Sequence, residues 1–212
     1  GSAGAEPAPT LQAVVDPGTY LGRGVRPLGV EQSNTTLVLG EGALVKFFRP
    51  LVPGINPDVD VHAALGVAQC PHVGRILGWV NAGWRDPRDG HWITGHTAMV
   101  QQLLVPAVEG RDLALERLAA GESFADEALE LGRATGVVHR DLRRVLPTHV
   151  LAEPEVSERV DRLRWRLGQA AVVVEELAPL LPALRERLDA VGDLDDPIEV
   201  QRVHGDLHLQ QV

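Results

Sequence analysis

The sequence predicts an α+β protein with a small β-sheet lobe that contains one helix, followed by a helical lobe. Two observations lead to this prediction. Residues 35–104 hold short β-rich runs, separated by turn residues and by a single helical pattern. From Glu109 onward apolar residues recur at intervals of three and four, which is typical of amphipathic helices. We place the boundary near residue 105 and expect residues 1–24 to be a tail or the end of a missing cap domain.

The β-rich part is predicted to begin with a short strand and a hairpin. The short strand is expected near residues 25–28. Residues 35–50, TTLVLGEGALVKFFRP, form two β-rich runs joined by the turn sequence GEG (40–42), which is a hairpin signal. Lys46 lies in the second run, so it is expected on a strand.

One helix and two longer strands complete this part. Asn56 followed by Pro57 suits an N-cap with proline at the first helical position. The apolar residues that give this helix its spacing are Val59, Ala63, Leu65 and Val67. The two strands are predicted over VGRILGWV and HTAMVQQLL, with the turn-rich segment RDPRDG between them.

The second part is predicted to be helical almost to its end. Ser123 is expected to cap a long helix whose apolar positions are Ala128, Leu131, Thr135, Val138, Leu142 and Val145. Two further helices follow in residues 157–192, interrupted near Pro179 and Pro182. The last stretch, PIEVQRVHGDLHLQQV, reads as β-like.

Composition narrows the classes of function. The formal net charge of −9 argues against non-specific binding of nucleic acid and against anionic membrane surfaces. Cys70 is the only cysteine, so no internal disulfide is possible and a reducing compartment, the cytoplasm, is expected. No apolar run approaches the roughly 20 residues that a membrane span needs, and the first ten residues lack the features of a secretory signal.

Two features point to chemistry. Of the 20 basic residues only Lys46 is a lysine, so this position invites a specific explanation. His204, Asp206 and His208 alternate near the end of the chain and would share one face of a strand. That triplet could be a metal site, a catalytic loop in which Asp206 accepts a hydroxyl proton, or a polar loop whose histidines bond to the backbone.

The order of elements is that of kinase-like phosphotransferases: a lysine-bearing strand, a helix with an acid, a helical lobe and then H-x-D. The motifs E-Q-S-N-T, K-x-F-R, P-G-x-N-P-D and V-H-G-D-L-H-L together resemble the maltokinase and glucosamine-kinase group of bacterial sugar kinases. This resemblance implies a protein-kinase-like fold of the aminoglycoside-phosphotransferase type. Residues 25–104 would be the nucleotide-binding lobe, and residues 105–212 the first part of the helical lobe, ending in the catalytic loop.

The resemblance also implies roles for single residues. Lys46 would contact the nucleotide phosphates, and Asp60 would pair with Lys46, while Asp58 would favour the helix N-terminus through the dipole. Asp206 would be the catalytic base. Gln211, seven positions after the first histidine of the motif, would hold Mg²⁺.

Further nucleotide contacts are implied in two places. A polar turn would cover the phosphates, where protein kinases have a glycine-rich loop; its residues are Gln32, Ser33, Asn34 and Thr35. The hinge that meets the adenine edge is expected at Gln101, Gln102 and Leu103. His204 and His208 are expected to be hydrogen-bonding residues of the loop, not metal ligands.

The sequence contains a second string that resembles a kinase catalytic loop, but we do not interpret it as one. Residues 139–142 read H-R-D-L, but they lie inside a strongly periodic helix, and the residue seven after His139 is Leu146 instead of an amide. We therefore interpret His139 and Asp141 as helix residues.

The predicted function is an ATP- and Mg²⁺-dependent sugar kinase that phosphorylates a hydroxyl of glucosamine or of maltose. The segment LLVPAVEGRDLA departs from the maltokinase pattern and favours glucosamine. Two alternatives remain: a catalytically incomplete nucleotide-binding module, and a metal-dependent hydrolase built on the terminal triplet. Because a second Mg²⁺-binding carboxylate and the acceptor site would lie beyond Val212, we expect residues 1–212 to be a truncated enzyme that alone does not turn over ATP at a useful rate.

Overall fold

The computed structural model describes residues 8–16, 24–28, 34–192, 194 and 196–212. The chain divides into two compact units. The first unit consists of residues 1–146 together with residues 202–212, and the second consists of residues 147–201. Both the lysine-bearing strand and the terminal H-G-D motif therefore belong to the first unit.

The first unit contains an antiparallel sheet of six described strands in the order β1-β5-β6-β4-β3-β2. The strands are β1 (Thr10–Ala13), β2 (Val25–Pro27), β3 (Thr35–Leu39), β4 (Ala43–Phe47), β5 (Ile76–Arg85) and β6 (Trp92–Gln102). The short strand, the hairpin and the two longer strands expected from the sequence are confirmed. Lys46 pairs with Thr36 on one side and with Met99 on the other, so it lies on an inner strand.

Strand β1 lies within residues 1–24, which the sequence assigned to a tail or to the end of a cap domain. It pairs with β5 in a register that places Thr10 opposite Asn81 and Ala13 opposite Gly78. A Cβ atom on Gly78 would lie 2.7 Å from the carbonyl oxygen of Gln12, so the close approach of these two strands requires glycine at this position.

Helix α1 (Pro57–Ala68) packs on the sheet and begins as predicted. The side chain of Asn56 accepts a hydrogen bond of 2.9 Å from the backbone N–H of Asp58, and Pro57 occupies the first helical position. One core cluster joins α1 to the sheet and consists of Phe48, Val59, Ile76 and Met99, with Trp79 against it. Val67 is 75% exposed, so its predicted place in the apolar stripe is wrong.

Helices α2 (Gly110–Ala120) and α3 (Ala125–Val145) complete the first unit. A second core cluster joins α1 to α3 through Ala64, Leu65, Cys70 and Leu142. The N-cap residue of α3 is Phe124, one position after the predicted cap. The predicted residue still contributes, because Ser123 Oγ accepts a hydrogen bond of 3.1 Å from the N–H of Ala125.

The second unit is helical with a small β-ribbon. Its elements are β7 (His149–Val150), α4 (Glu153–Val173), a 3₁₀ segment (Glu175–Leu180), α5 (Leu181–Gly192) and β8 (Glu199–Val200). The two helices and their interruption near Pro179 are as predicted. The β-like reading of the chain end holds only for the two residues of β8, which pair with β7. No helix in the described part of the chain is long and apolar enough to cross a membrane.

Candidate active site

The solitary lysine is held by a carboxylate of α1. Lys46 Nζ lies 2.5 Å from Asp58 Oδ2, and both side chains are partly exposed. The predicted pairing of Lys46 with Asp60 is therefore wrong. Asp60 lies two residues further along, about 200° around the helix axis, so it cannot share the face that meets β4. Asp60 instead lies 3.6 Å from the guanidinium group of Arg202.

An open cleft of about 270 Å³ lies beside this ion pair. It is lined by Asn34, Phe48, Pro50, Val52, Asn56, Pro57 and Asp58. Asn34 is therefore at the cleft, where its side-chain oxygen lies 3.4 Å from the backbone N–H of Arg49. Thr35 is the first residue of β3 and pairs with Phe47. Gln32 and Ser33, the other residues predicted for the polar turn, lie outside the described residues.

His62, which the sequence reasoning missed, lies one turn after the partner of the lysine on α1. Its Nδ1–H donates a hydrogen bond of 2.8 Å to the carbonyl oxygen of Asp58. Burial lowers the pKa of His62, although this hydrogen bond and the negative charge of Asp58 oppose the shift. A histidine four residues after an acid on a helix is the one sequence signal that could have indicated it.

His96, also missed, supports the start of α1. This buried side chain of β6 accepts a hydrogen bond of 3.2 Å at Nδ1 from the backbone N–H of Asn56. Burial lowers the pKa of His96, although the negative charge of Asp60 opposes this shift. Because Asn56 in turn caps α1, a neutral His96 helps to fix the helix that carries Asp58.

The two lowered histidine pKa values predict a loss of stability in weak acid. In the unfolded chain these imidazoles titrate near pH 6.5, so stabilisation by the neutral forms of His62 and His96 is complete above about pH 6.5. It is lost as the pH falls through the lowered pKa values of the folded state. We expect the urea midpoint of unfolding to fall between about pH 7.5 and 5.5, above the range in which carboxylates titrate. His96→Gln, which keeps an acceptor for Asn56, should reduce this fall; an unchanged or rising midpoint in the parent chain would contradict the account.

The H-G-D motif forms an exposed loop, not a strand. His204 Nδ1 accepts a hydrogen bond of 3.2 Å from the N–H of Asp206, and His208 Nδ1 accepts one of 3.3 Å from the N–H of Gln210. Gly205 has φ of 81°, a left-handed conformation that suits glycine. The expectation that the triplet shares one strand face is therefore wrong, because this turn breaks the alternation. Both histidines bond to the backbone, as the alternative reading required.

Metal binding by the triplet itself is not supported. Among the residues that the structure describes, no group of three or more His, Cys, Asp or Glu side chains could hold a metal ion. His204 and His208 each use Nδ1 for a backbone hydrogen bond, which removes that lone pair from coordination.

Gln211 lies in a short 3₁₀ helix (Leu209–Gln211) that packs against the start of α2. The backbone N–H of Gly110 donates a hydrogen bond of 2.7 Å to the carbonyl oxygen of Val212. A Cβ on Gly110 would lie 2.8 Å from the side chain of Val212 and 3.1 Å from the carbonyl oxygen of Leu209. The absence of a side chain at Gly110 therefore sets the position of the segment that carries Gln211.

Gly110→Ala is expected to displace residues 209–212, because neighbouring atoms must move to admit the methyl group. The measurement is the change in amide ¹⁵N and ¹H shifts, which should be concentrated in residues 209–212. Gly132→Ala is the matched control, since a Cβ there meets nothing within 4 Å. That control should leave these shifts unchanged and stabilise the chain by about 0.5–1 kcal/mol. Equal shifts in both variants would refute the role assigned to Gly110.

The predicted hinge lies at the end of β6. The N–H of Gln102 donates to the carbonyl oxygen of Arg75 at 2.8 Å, and that of Leu103 donates to Gly42 at 3.0 Å. Gln101 pairs with Leu44 across the sheet. The backbone donors of Gln102 and Leu103 are therefore already used inside the protein, which leaves the carbonyl groups of this segment or later residues for a ligand.

The H-R-D-L string lies inside α3, as expected. Asp141 is 2% exposed, and the guanidinium groups of Arg140 and Arg144 lie 3.2 and 3.7 Å from its carboxylate. Although burial acts in the opposite direction, hydrogen bonds from Arg140 and from the Cys70 thiol hold the pKa of Asp141 below its usual range. Asp141 therefore links α3 to the residues that follow α1, and its role is structural.

Comparison with known proteins places this chain beside glucosamine kinases. No family model matches the chain. A glucosamine kinase of Mycolicibacterium smegmatis is 32% identical over 208 residues, which cover 90% of this chain and 49% of that protein. A solved glucosamine kinase in complex with glucosamine, ADP and inorganic phosphate has a TM-score of 0.73 and 26% identity, over 96% of this chain and 50% of that one. A second crystal form of glucosamine kinase, form B, has a TM-score of 0.69 and 24% identity, which speaks to the fold alone.

These comparisons show which fold the chain shares and how much of its relatives it covers. The chain shares the mixed α and β fold, with its antiparallel sheet, of one half of glucosamine kinase. It spans about half the length of the relatives that it matches.

Proposed function

We propose that this chain is the nucleotide-binding part of an ATP-dependent amino-sugar kinase with a protein-kinase-like fold. The observation that carries the proposal is the placement of the Lys46–Asp58 pair and the H-G-D loop in one compact unit, in which Asp60 of the same helix lies 3.6 Å from Arg202. The similarity to glucosamine kinases, one of them bound to ADP and glucosamine, supports it.

Lys46 would bind the phosphate oxygens of ATP. The side chain is 28% exposed and anchored by Asp58, a residue that lines the cleft, so its ammonium group is held in a fixed direction and still reaches solvent. Such an anchored cation neutralises charge on the phosphates without having to be ordered when ATP binds. Asn34 would add a polar contact at the rim of the same cleft. The part proposed for Gln32, Ser33 and Thr35 rests on the resemblance alone.

Asp206 would orient the acceptor hydroxyl and accept its proton as the phosphoryl group is transferred in line. The hydrogen bond from its backbone N–H to His204 and the left-handed Gly205 fix the turn that presents this carboxylate. An exposed carboxylate suits this task, because the acceptor must reach it from solvent. The adenine edge would meet the carbonyl groups near Gln101 and Gln102, or the backbone after Leu103.

Mg²⁺ fits the donors of this region. Mg²⁺ prefers oxygen ligands and is usually held by one or two protein groups plus phosphate oxygens and water. Gln211 supplies a side-chain amide and is close in sequence to the exposed carboxylate of Asp206. It lies in the short 3₁₀ helix, and its backbone N–H donates a hydrogen bond of 2.8 Å to the carbonyl oxygen of His208. When bound, the ion would neutralise charge that develops on the phosphates. Gln211 would hold it, and Asp206 would remain the base.

Glucosamine is the proposed acceptor, with the 2-amino sugar phosphorylated at a hydroxyl. Both the sequence relative and the solved structures are glucosamine kinases. Maltose, the other acceptor predicted from the sequence, has no support from these relatives.

The direct test is nucleotide binding by the 212-residue chain, measured by isothermal titration calorimetry with ADP and ATP, in the presence and absence of Mg²⁺. The proposal predicts binding that Mg²⁺ strengthens. Binding of equal strength with and without Mg²⁺ would favour the nucleotide-binding module instead, and no binding of either nucleotide would refute both. The acceptor is tested by coupled assays of ADP release with glucosamine and with maltose, run on a preparation that turns over ATP.

A further inference from the structure

Helix α1 contacts the residues that lead into the H-G-D motif through one ion pair. Asp60 lies 3.6 Å from Arg202, two residues before the motif. The same helix carries Asp58, which holds Lys46. Helix α1 therefore carries both the partner of the lysine and the partner of Arg202, which lies four residues before Asp206.

The loop itself has little to set its position. Residues 202–208 form no strand or helix and are exposed. Their described hydrogen bonds are local: the N–H of Asp206 bonds to His204, two residues away. Local bonds of this kind fix the shape of a turn but not its place relative to the sheet. Place has to come from contacts with other elements: α1 provides one at the start of the segment, through Arg202, and α2 holds the residues that follow the segment, through Gly110.

We propose that Asp60 is a positioning residue, which holds residues 202–208 at a fixed distance from the Lys46–Asp58 pair through Arg202. This inference rests on the proposed function, because it concerns the spacing of the two halves of that site. The side chain of Asp60 does not itself touch substrate.

The Asp60–Arg202 ion pair is exposed, and this exposure determines how a variant that breaks the pair should affect stability. The side chains of Arg202 and Asp60 are 48% and 34% exposed, and pairs of this kind contribute little to the stability of a protein. Loss of the pair should therefore leave the urea midpoint almost unchanged. Loss of the pair should weaken nucleotide binding only when the nucleotide is bound by the Lys46–Asp58 pair and by the terminal segment together. In the proposed function this is the case when Mg²⁺ links the phosphates to the segment carrying Gln211.

The test compares Asp60→Arg, Arg202→Asp and the double variant that exchanges the two charges. For each, the affinity for ADP is measured by calorimetry with and without Mg²⁺. We expect each single reversal to reduce the Mg²⁺-dependent gain in affinity by about fivefold, the low end of coupling between sites. The exchanged pair should restore the gain, and ADP affinity without Mg²⁺ should stay unchanged throughout. Glu158→Arg is the control, since it reverses the charge of an exposed pair with Arg162 on α4.

A second readout keeps this inference separate from the proposed function. Amide shifts of His204 and Asp206 should move in both single reversals and return in the exchanged pair. If the parent chain binds no ADP, the proposed function fails while these shifts still test the positioning. Unmoved shifts, or an exchanged pair that restores neither shifts nor affinity, would overturn the inference.

Discussion

Lys46→Ala should weaken binding of Mg²⁺·ATP by about 30-fold, which corresponds to about 2 kcal/mol and is typical of a lost hydrogen bond to a charged group. The reason is that Lys46 is the solitary lysine and is paired with Asp58, which lines the cleft. Asp58→Asn should weaken binding less, because the ammonium group remains but loses its anchor. Lys46→Arg should restore binding only in part, since the larger planar guanidinium does not fit the place of a compact ammonium.

The control for Lys46 is a basic residue at the other end of the same sheet. Arg85 ends β5 and pairs with Trp92, which lies seven residues along β6 from Met99, the partner of Lys46. At about 3.3 Å per residue, this places Arg85 about 23 Å away. Arg85→Ala should leave the dissociation constant unchanged by calorimetry. Equal losses in the Arg85 and Lys46 variants would mean that net charge, not the site, governs binding.

Asp206→Asn should lower kcat by at least about 100-fold in a preparation that forms ADP in a glucosamine-dependent manner, since a positioned base contributes at least that much. Its urea midpoint should not change, because the carboxylate is exposed. Binding of ATP should persist. The measurement is steady-state ADP release, together with ATP affinity for the same variant.

The chain offers an internal control in its second H-x-D motif. Asp141 is buried and bonded to Arg140 and Cys70, so Asp141→Asn should lower the urea midpoint and leave kcat of the remaining folded protein near the parent value. The two aspartates thus have opposite expected effects on activity and stability. Loss of activity in the folded Asp141 variant, or retention of activity in the Asp206 variant, would contradict the roles assigned to these two aspartates.

Local signals predicted much of the first unit. The hairpin around GEG and the cap formed by Asn56 depend on a few adjacent residues, and both are present as expected. Strand β1 could not be predicted in this way, because its partner β5 lies almost 70 residues further along the chain. Pairing at such a separation depends on the whole fold rather than on the pattern of four residues.

The candidate site, like the fold, was only partly predictable from the sequence. The sequence indicated Lys46 and the H-G-D motif, but it did not show which carboxylate pairs with the lysine. Asp58 and Asp60 are both acids in the first turn of α1, and only the rotation of the helix against the sheet decides which of them faces β4. His96 escaped prediction because a lone histidine carries no pattern, and His62 because its spacing of four residues from Asp58 was not used as a signal. Their importance comes from the hydrogen bonds to Asp58 and Asn56.

The spacing of Lys46 and Asp206 about one bound nucleotide is most directly measured by paramagnetic broadening in the ¹⁵N-labelled chain with Mn²⁺·ADP. We predict that the amide signals of Lys46 and of residues 204–211 lose intensity together, while those of the β5–β6 turn at residues 86–91 keep theirs. Broadening of one group without the other would place the lysine and the aspartate on separate surfaces and contradict a shared phosphate site.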